Sequence, residues 1–159
     1  MGSQQNNKYA YIAGFLDGDG SIMFQLKKRS DSTKGIRFMV TICFYQDTRH
    51  DKDLAWIKKI LHAGYLSRRN DGMSELRING FKEVENILRL LKPFVRFKKI
   101  QVRLVLSACI ILVKKTMRTM TKTDLKKLVK IILLLQKQNY ATREKKTQED
   151  LYRLLCLTP

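Results

Sequence analysis

Residues 11–20 read Y-I-A-G-F-L-D-G-D-G, and the residues that follow, S-I-M-F-Q-L-K-K-R, change from helical to alternating period. In the first stretch Tyr11, Ile12, Phe15 and Leu16 recur at helical spacing around Ala13 and Gly14, so a first helix is expected over residues 7–16. Ala13, Gly14 and Gly18 are small. Gly14 and Gly18 lie four apart, on one helix face, where a second backbone can approach closely. The chain holds one copy of this stretch, so the partner expected is the same helix of a second chain across a two-fold axis. Tyr11, Ala13, Gly14, Asp17 and Gly18 are the interface residues expected.

Asp17 and Asp19 fall at the C-terminal end of that helix, where the macrodipole disfavours carboxylates. Doubled across a two-fold axis, they call for a cation between them, and Mg2+ takes carboxylate, carbonyl and water oxygens. Being two residues apart, their side chains point to different sides, so one of them is expected to face the metal. Plainer readings compete. D-G-D-G in isolation is a turn. An EF-hand loop fails, because Ile22 stands where its glycine is needed and Lys28 where its glutamate is needed. A dinucleotide-binding loop fails because the glycines do not follow a strand.

Working outward, Ile22, Phe24 and Leu26 alternate with Met23, Gln25, Lys27 and Arg29, which is a strand over 21–29. Residues 31–35 are turn chemistry. A second strand spans 37–45, with Phe38, Val40, Ile42 and Phe44 opposite Arg37, Met39, Thr41, Cys43 and Tyr45. A helix is expected over 51–62 with Gly64 as its cap and with Leu54 and Trp56 in the core. A hairpin of strands 65–69 and 74–78 turns at Asn70–Asp71–Gly72. A helix over 82–91 stops before Pro93. Helices over 99–114, 124–137 and 144–155 complete the chain, with His62 a helix-end residue. The order is α-β-β-α-β-β-α followed by helices: an α+β fold whose twisted antiparallel four-stranded sheet is covered by helices on one face. One domain over 1–159 is expected, its core near 7–112 and a basic, mobile helical part over 114–159.

The uncovered face would carry Gln25, Lys27, Arg29, Arg37, Thr41, Tyr45, Ser67, Arg69, Glu75 and Arg77. A solvated face normally mixes Glu with Lys. This one is nearly all basic or amide, which favours binding, and long Arg and Gln side chains on a twisted ribbon reach the major groove. Glu75, its lone acid, either accepts from cytosine N4 or tethers Arg77 or Arg69.

The whole chain is equally one-sided: 32 Lys+Arg against 14 Asp+Glu, a net charge of +18. Such an excess repels itself and calls for a polyanion, nucleic acid first and an anionic membrane second. The membrane reading loses ground, because the longest apolar runs, 104–113 and 128–135, fall short of the roughly 18–20 residues of a span. The N-terminus lacks the basic and apolar regions of a secretory signal, and Asn6 breaks a myristoylation pattern. Cys43, Cys109 and Cys156 pair with neither His50 nor His62 at zinc spacing and read as reduced thiols.

With the strand pattern and the basic excess beside it, Y-I-A-G-F-L-D-G-D-G-S resembles the signature of the LAGLIDADG homing endonucleases, in their single-motif, homodimeric branch. The resemblance extends to about residue 112. It implies a site-specific endonuclease that cuts double-stranded DNA at a long pseudo-palindromic site and leaves short 3′ overhangs. It implies Mg2+ as cofactor, with Mn2+ or Ca2+ able to substitute in binding, and no membrane partner. By the same resemblance Asp19 is the metal-binding acid and Gly18 a carbonyl ligand, while Asp17 has a structural role. Gln46, in Y-Q-D-T-R-H, organises active-site water, and Lys98, in P-F-V-R-F-K-K-I-Q, is the basic residue at the cleavage centre. His50 stands where relatives often carry Arg, which leaves its role open. The implied DNA-contacting set is Met23, Gln25, Lys27, Arg29, Arg37, Met39, Thr41, Cys43, Tyr45, His50, Tyr65, Ser67, Arg69, Glu75 and Arg77. The implied compartment is organellar. An intron RNA-binding maturase or a non-catalytic DNA-binding homodimer on the same scaffold explains the charge equally well, but needs no Asp19, Gln46 and Lys98 together.

Overall fold

Helix α1 (Gly2–Asp19) runs directly into strand β1 (Gly20–Lys28), with no connecting residue. Gly20 makes this possible: a Cβ there would come within 2.8 Å of both the Cα and the O of Leu16 and within 2.6 Å of its Cδ1. A computed structural model describes residues 2–29, 35–139 and 145–158. Residues 31–34 of the turn expected over 31–35, and the first residue of the helix expected from 144, lie outside the described residues.

Strand β1 pairs antiparallel with β2 (Ile36–Asp47) from Gly20–Phe44 to Lys28–Ile36. After a 3-10 turn (Thr48–His50) come α2 (Asp51–Leu61), β3 (Tyr65–Arg68), β4 (Met73–Asn79), α3 (Phe81–Leu91), α4 (Lys99–Lys114), α5 (Lys122–Gln138) and α6 (Gln148–Leu154). The sheet order is β1-β2-β4-β3, so the second hairpin joins the first through β4. Alternation holds as expected: Ile22, Phe24, Leu26, Phe38, Val40, Ile42 and Phe44 are buried on the helix-covered side. They join Leu54, Leu88, Val105 and Leu112 in one core. That core also takes Leu128, Ile132, Leu135, Leu151 and Leu155, so the basic C-terminal helices are packed elements and not the mobile appendage their charge suggested.

Three local expectations are corrected. Helix α2 is closed by His62, whose φ of 51° is left-handed; Gly64 is not the cap. Gly64 (φ 86°) instead admits a close approach, since a Cβ would lie 2.7 Å from Ile78 Cγ1 and 2.8 Å from Arg77 O. Trp56 is not core: it stays 37% exposed and meets Tyr11 edge-to-face at 5.6 Å. Ala13 is fully buried in its own chain's core, so it cannot belong to an interface. The small face of α1 is built from Gly14 and Gly18 alone, where an added Cβ would meet nothing within 4 Å.

The end of α1 is fixed to the loop before α4. Asp17 Oδ2 accepts from the amides of Arg96 (2.6 Å) and Phe97 (3.2 Å), and Oδ1 from that of Lys98 (2.9 Å). Pro93 and the buried Val95 end α3's extension and direct this loop back to the helix terminus. Along the outer edge of β1, Asn139 Nδ2 donates to the carbonyl of Ile22 (3.1 Å) and Lys146 Nζ to that of Leu26 (2.8 Å). The exposed edge of β1 is thus covered by the C-terminal segment.

Two measurements test this frame. Gly20→Ala should lower unfolding free energy by roughly 1–3 kcal/mol, because backbone must shift to admit the methyl; an unchanged denaturant midpoint would contradict the tight junction. Asp17→Ala, which leaves three amides without their charged acceptor, should cost at least about 1.5–3 kcal/mol in the same assay.

Candidate active site and nucleic-acid face

Helix α1 ends by presenting two carboxylates, and the structure gives them different surroundings. Asp17 is half-buried and engaged by the three amides. Asp19 is exposed, and no hydrogen bond or ion pair of the described residues engages it. Lys98 supplies the local cation. Its Nζ donates to the Asp17 carbonyl, one of the terminal carbonyls that lack a helical partner. Burial pushes the Lys98 ammonium below the ordinary lysine range, while the nearby Asp17 and Asp19 carboxylates pull it back. So the structure brings Lys98 and Asp19 together, though they are far apart in sequence.

Gln46 stands close to the end of β2. The register carries it two residues past the Phe44–Gly20 pair, to the end of the sheet where α1 terminates. Its Oε1 accepts from the Asp47 amide (2.9 Å), which leaves its NH2 as a donor. His50 lies exposed at the end of the 3-10 turn and makes no capping bond to α2. Its neighbour Arg49 is committed elsewhere: Nε and Nη2 both bond to Asp47, at 2.9 Å each, and hold that carboxyl down at about 2.

The donor set at the end of α1 suits a hard divalent cation. A carboxylate without a partner stands beside Gly18, whose carbonyl is another terminal one. One chain does not close such a site, and among the described residues no group of three or more His, Cys, Asp or Glu could hold a metal. The surface beside Asp19 is suited to receive a second chain. Tyr11 is 63% exposed, Gly14 and Gly18 are open, and Phe97 is 86% exposed on a loop held rigid by Asp17. Phe97 has no counterpart among the residues expected from the sequence, because an aromatic inside the run R-F-K-K has no periodic signal.

The open sheet face is less uniform than alternation implied. Gln25, Lys27, Arg29, Arg37, Tyr65 and Arg69 are exposed, and Met23, Met39, Tyr45, Ser67 and Arg77 half-exposed. Thr41, Cys43 and Glu75, however, are buried, so they are withdrawn from the set available for contact as the chain stands. They occupy the two central strands. Cys43 is flanked by Ser21 and Arg77, and Thr41 by Met23 and Asn79, to which its hydroxyl donates (2.7 Å). Burial raises the Cys43 thiol and the Tyr45 phenol, whose hydroxyl meets that of Ser21 at 3.1 Å. Of the tethers open to Glu75, Arg77 takes it through two bonds of 3.1 and 3.2 Å, and Arg69 pairs with Asp71. Towards the far end Lys27 stands directly opposite Arg37, a like-charge pair that disfavours the bare sheet. No helix of the described residues is long and apolar enough to cross a membrane.

Known proteins share this arrangement. The family model of the LAGLIDADG endonucleases matches residues 12–104. The DNA endonuclease I-CvuI of Chlorella vulgaris is 37% identical over 99 residues, 62% of this chain and 62% of that protein. The DNA endonuclease I-CreI of Chlamydomonas reinhardtii is 31% identical over 107 residues, 67% of this chain and 65% of that one. The aligned stretch therefore spans somewhat under two thirds of each relative. In three dimensions the likeness is more extensive. A crystal structure of I-CvuI with its target in the presence of Ca superimposes with a TM-score of 0.81 at 28% identity, covering 98% of this chain and 99% of that one. The archaeal intron-encoded I-Vdi141I in complex with DNA shares the fold, with a TM-score of 0.80 at 23% identity over 95% and 96% of the two chains. With more than half its length matched by the family model, the chain belongs to the LAGLIDADG endonuclease family.

Proposed function

We propose that this chain is a site-specific endonuclease that acts as a homodimer on double-stranded DNA. It cleaves both strands of a long, nearly palindromic target by metal-dependent phosphodiester hydrolysis and leaves short 3′ overhangs. The observation that carries this reading is the junction at the end of α1, where the unengaged Asp19 and the half-buried Lys98 share one terminus. The relatives support it: I-CvuI and I-CreI are DNA endonucleases, and I-CvuI has been crystallised on its own target with Ca and on the I-CreI target with Mg, where the DNA was not cleaved.

In this reading two copies meet through Tyr11, Gly14, Gly18 and Phe97, and each brings Asp19 to the two-fold axis. The Asp19 carboxylate and the Gly18 carbonyl would hold the divalent ion, Mg2+ by the chemistry of its ligands. When bound, such an ion supplies Lewis-acid stabilisation of charge on the reacting phosphate. Lys98 holds its ammonium at the same terminus, tied to the Asp17 carbonyl, and offers a positive charge to the phosphate oxygens. Gln46, fixed through its Oε1, orients solvent with its free NH2. Asp17 is a positioning residue that sets the loop bearing Lys98. On the sheet face Gln25, Lys27, Arg29 and Arg37 are the exposed readers, and Arg77 stays aimed by Glu75.

Asp19→Asn should lower double-strand cleavage by at least about a hundredfold in Mg2+ while duplex binding persists; wild-type cleavage by that variant would refute the assignment. The same Mg2+ assay on a library of duplexes separates the endonuclease from a maturase or a non-catalytic homodimer, neither of which would cut. Target affinity should fall about a thousandfold or more between roughly 50 and 200 mM salt if six or more phosphates are contacted. A flat salt dependence would argue against docking on the basic sheet face.

A further inference from the structure

Helix α5 exposes Lys122, Lys126, Lys127, Lys130 and Lys137, while Leu128, Val129, Ile132 and Leu135 are buried beneath it. At 3.6 residues per turn, Lys126, Lys130 and Lys137 fall within about 40° of one another, opposite the buried set. Lys122, Lys126 and Lys130 stand at i, i+4 and i+8, a spacing at which like charges destabilise an isolated helix. A merely solvated face would intersperse glutamates, and this one has none. The single acid of α5, Asp124, is already used: it accepts from Lys115 Nζ (2.6 Å) and closes a capping box with Thr121. Lys126 lies 5.5 Å over the Tyr152 ring. Among the described residues Lys122, Lys127, Lys130 and Lys137 have no ion pair or hydrogen bond. Residues 114–139 hold eight lysines and arginines against that one acid.

The make-up of the face selects its partner. The five cations are lysines, point charges without the fork by which arginine reads base edges. Helix α5 itself carries no aromatic residue, and the Tyr152 ring beside it already has Lys126 over its face, which leaves little to stack unpaired bases. The row from Lys122 to Lys137 is about 22 Å long. A lysine row of this length, without arginines, complements the backbone of a double helix. It is also held rigidly to the reading sheet. Asn139, just past the end of α5, bonds β1 at Ile22, and Gln136 clasps both backbone groups of Lys146 at 3.0 Å while that lysine bonds β1 at Leu26.

We infer that the lysine face of α5 is a second, sequence-independent binding surface for the phosphate backbone of duplex DNA, separate from the open face of the sheet. The inference rests on the reading of this chain as a DNA-binding enzyme and assigns a role to charge that the sheet face leaves unused.

The test is the full-length variant K122Q/K127Q/K130Q/K137Q, which removes only side chains without partners and keeps helix propensity. Its melting temperature should equal or exceed that of the wild type, because repulsion is relieved. Anisotropy titrations on a long non-target DNA duplex should show affinity at least about tenfold weaker at low salt, and a slope of log Kd against log salt shallower by roughly 3 to 4. Single-turnover cleavage of saturating target should stay at the wild-type rate. A folded variant with unchanged slope and affinity would overturn the inference and leave the face simply solvated. An RNA duplex that outcompetes DNA on the wild type, with only RNA affinity lost in the variant, would overturn the assignment to DNA. If the wild type binds duplex through this face but cuts no DNA under any metal, the endonuclease reading falls and this inference stands.

Discussion

Carboxylates at the C-terminal end of a helix face the negative end of its dipole, and α1 ends with two of them within three residues. The fold answers this constraint unequally. The Asp17 carboxylate is engaged by three convergent amides, and Lys98 donates to the Asp17 carbonyl. Asp19 has no hydrogen bond or ion pair among the described residues and stands exposed at the surface near Lys98. The same contact that stabilises Asp17 delivers Lys98 to the terminus, which couples the engaged carboxylate to the surroundings of the free one. Gly20 completes it, because any larger residue would push β1, and the register that places Gln46, away from the helix end.

A second constraint is charge. A chain of +18 must tolerate repulsion wherever cations are close, and it concentrates that repulsion on defined surfaces. Lys27 opposite Arg37 does so on the sheet; Lys122, Lys126 and Lys130 do so on α5. Elsewhere several arginines are matched: Arg49 with Asp47, Arg68 with Asp51, Arg69 with Asp71, Arg77 with Glu75, Arg89 with Glu85. The acids are few, and the fold spends most of them on arginines near the hairpins and on helix caps. The lysines of α5 are left over by placement and not by number alone.

Much of this architecture is legible in the order of the residues alone. The two alternating strands, the second hairpin and the helices that follow it lie within a few residues of their sequence limits, because alternation and helical spacing are local properties that the core then enforces. What the pattern does not carry is the neighbour across the strand. Cys43 and Thr41 share parity with Arg37 and Tyr45 yet are buried, since burial on an open face depends on the length of side chains on the strands beside them. Trp56 shares the helical face of no core residue and is held instead by Tyr11. Ala13 resembles part of the small face by its size, but its angle around the helix turns it into the core. Phe97 and the amides on Asp17 lie in a loop, where no period exists to be read.

The buried centre of the sheet face changes what the open face can do. With Cys43, Thr41 and Glu75 covered, the middle of the face is a fixed layer, and Glu75 holds Arg77 through two bonds. A bidentate arginine held this way has lost its rotamer freedom before any contact is made, so it can recognise a fixed acceptor pattern at low entropic cost. The outer residues Gln25, Lys27 and Arg37 have no such support and remain adaptable. The face therefore grades from rigid near the end of α1 to compliant at its far edge. Geometry is held most firmly beside the chemistry, where misplacement of the reacting groups would be most damaging.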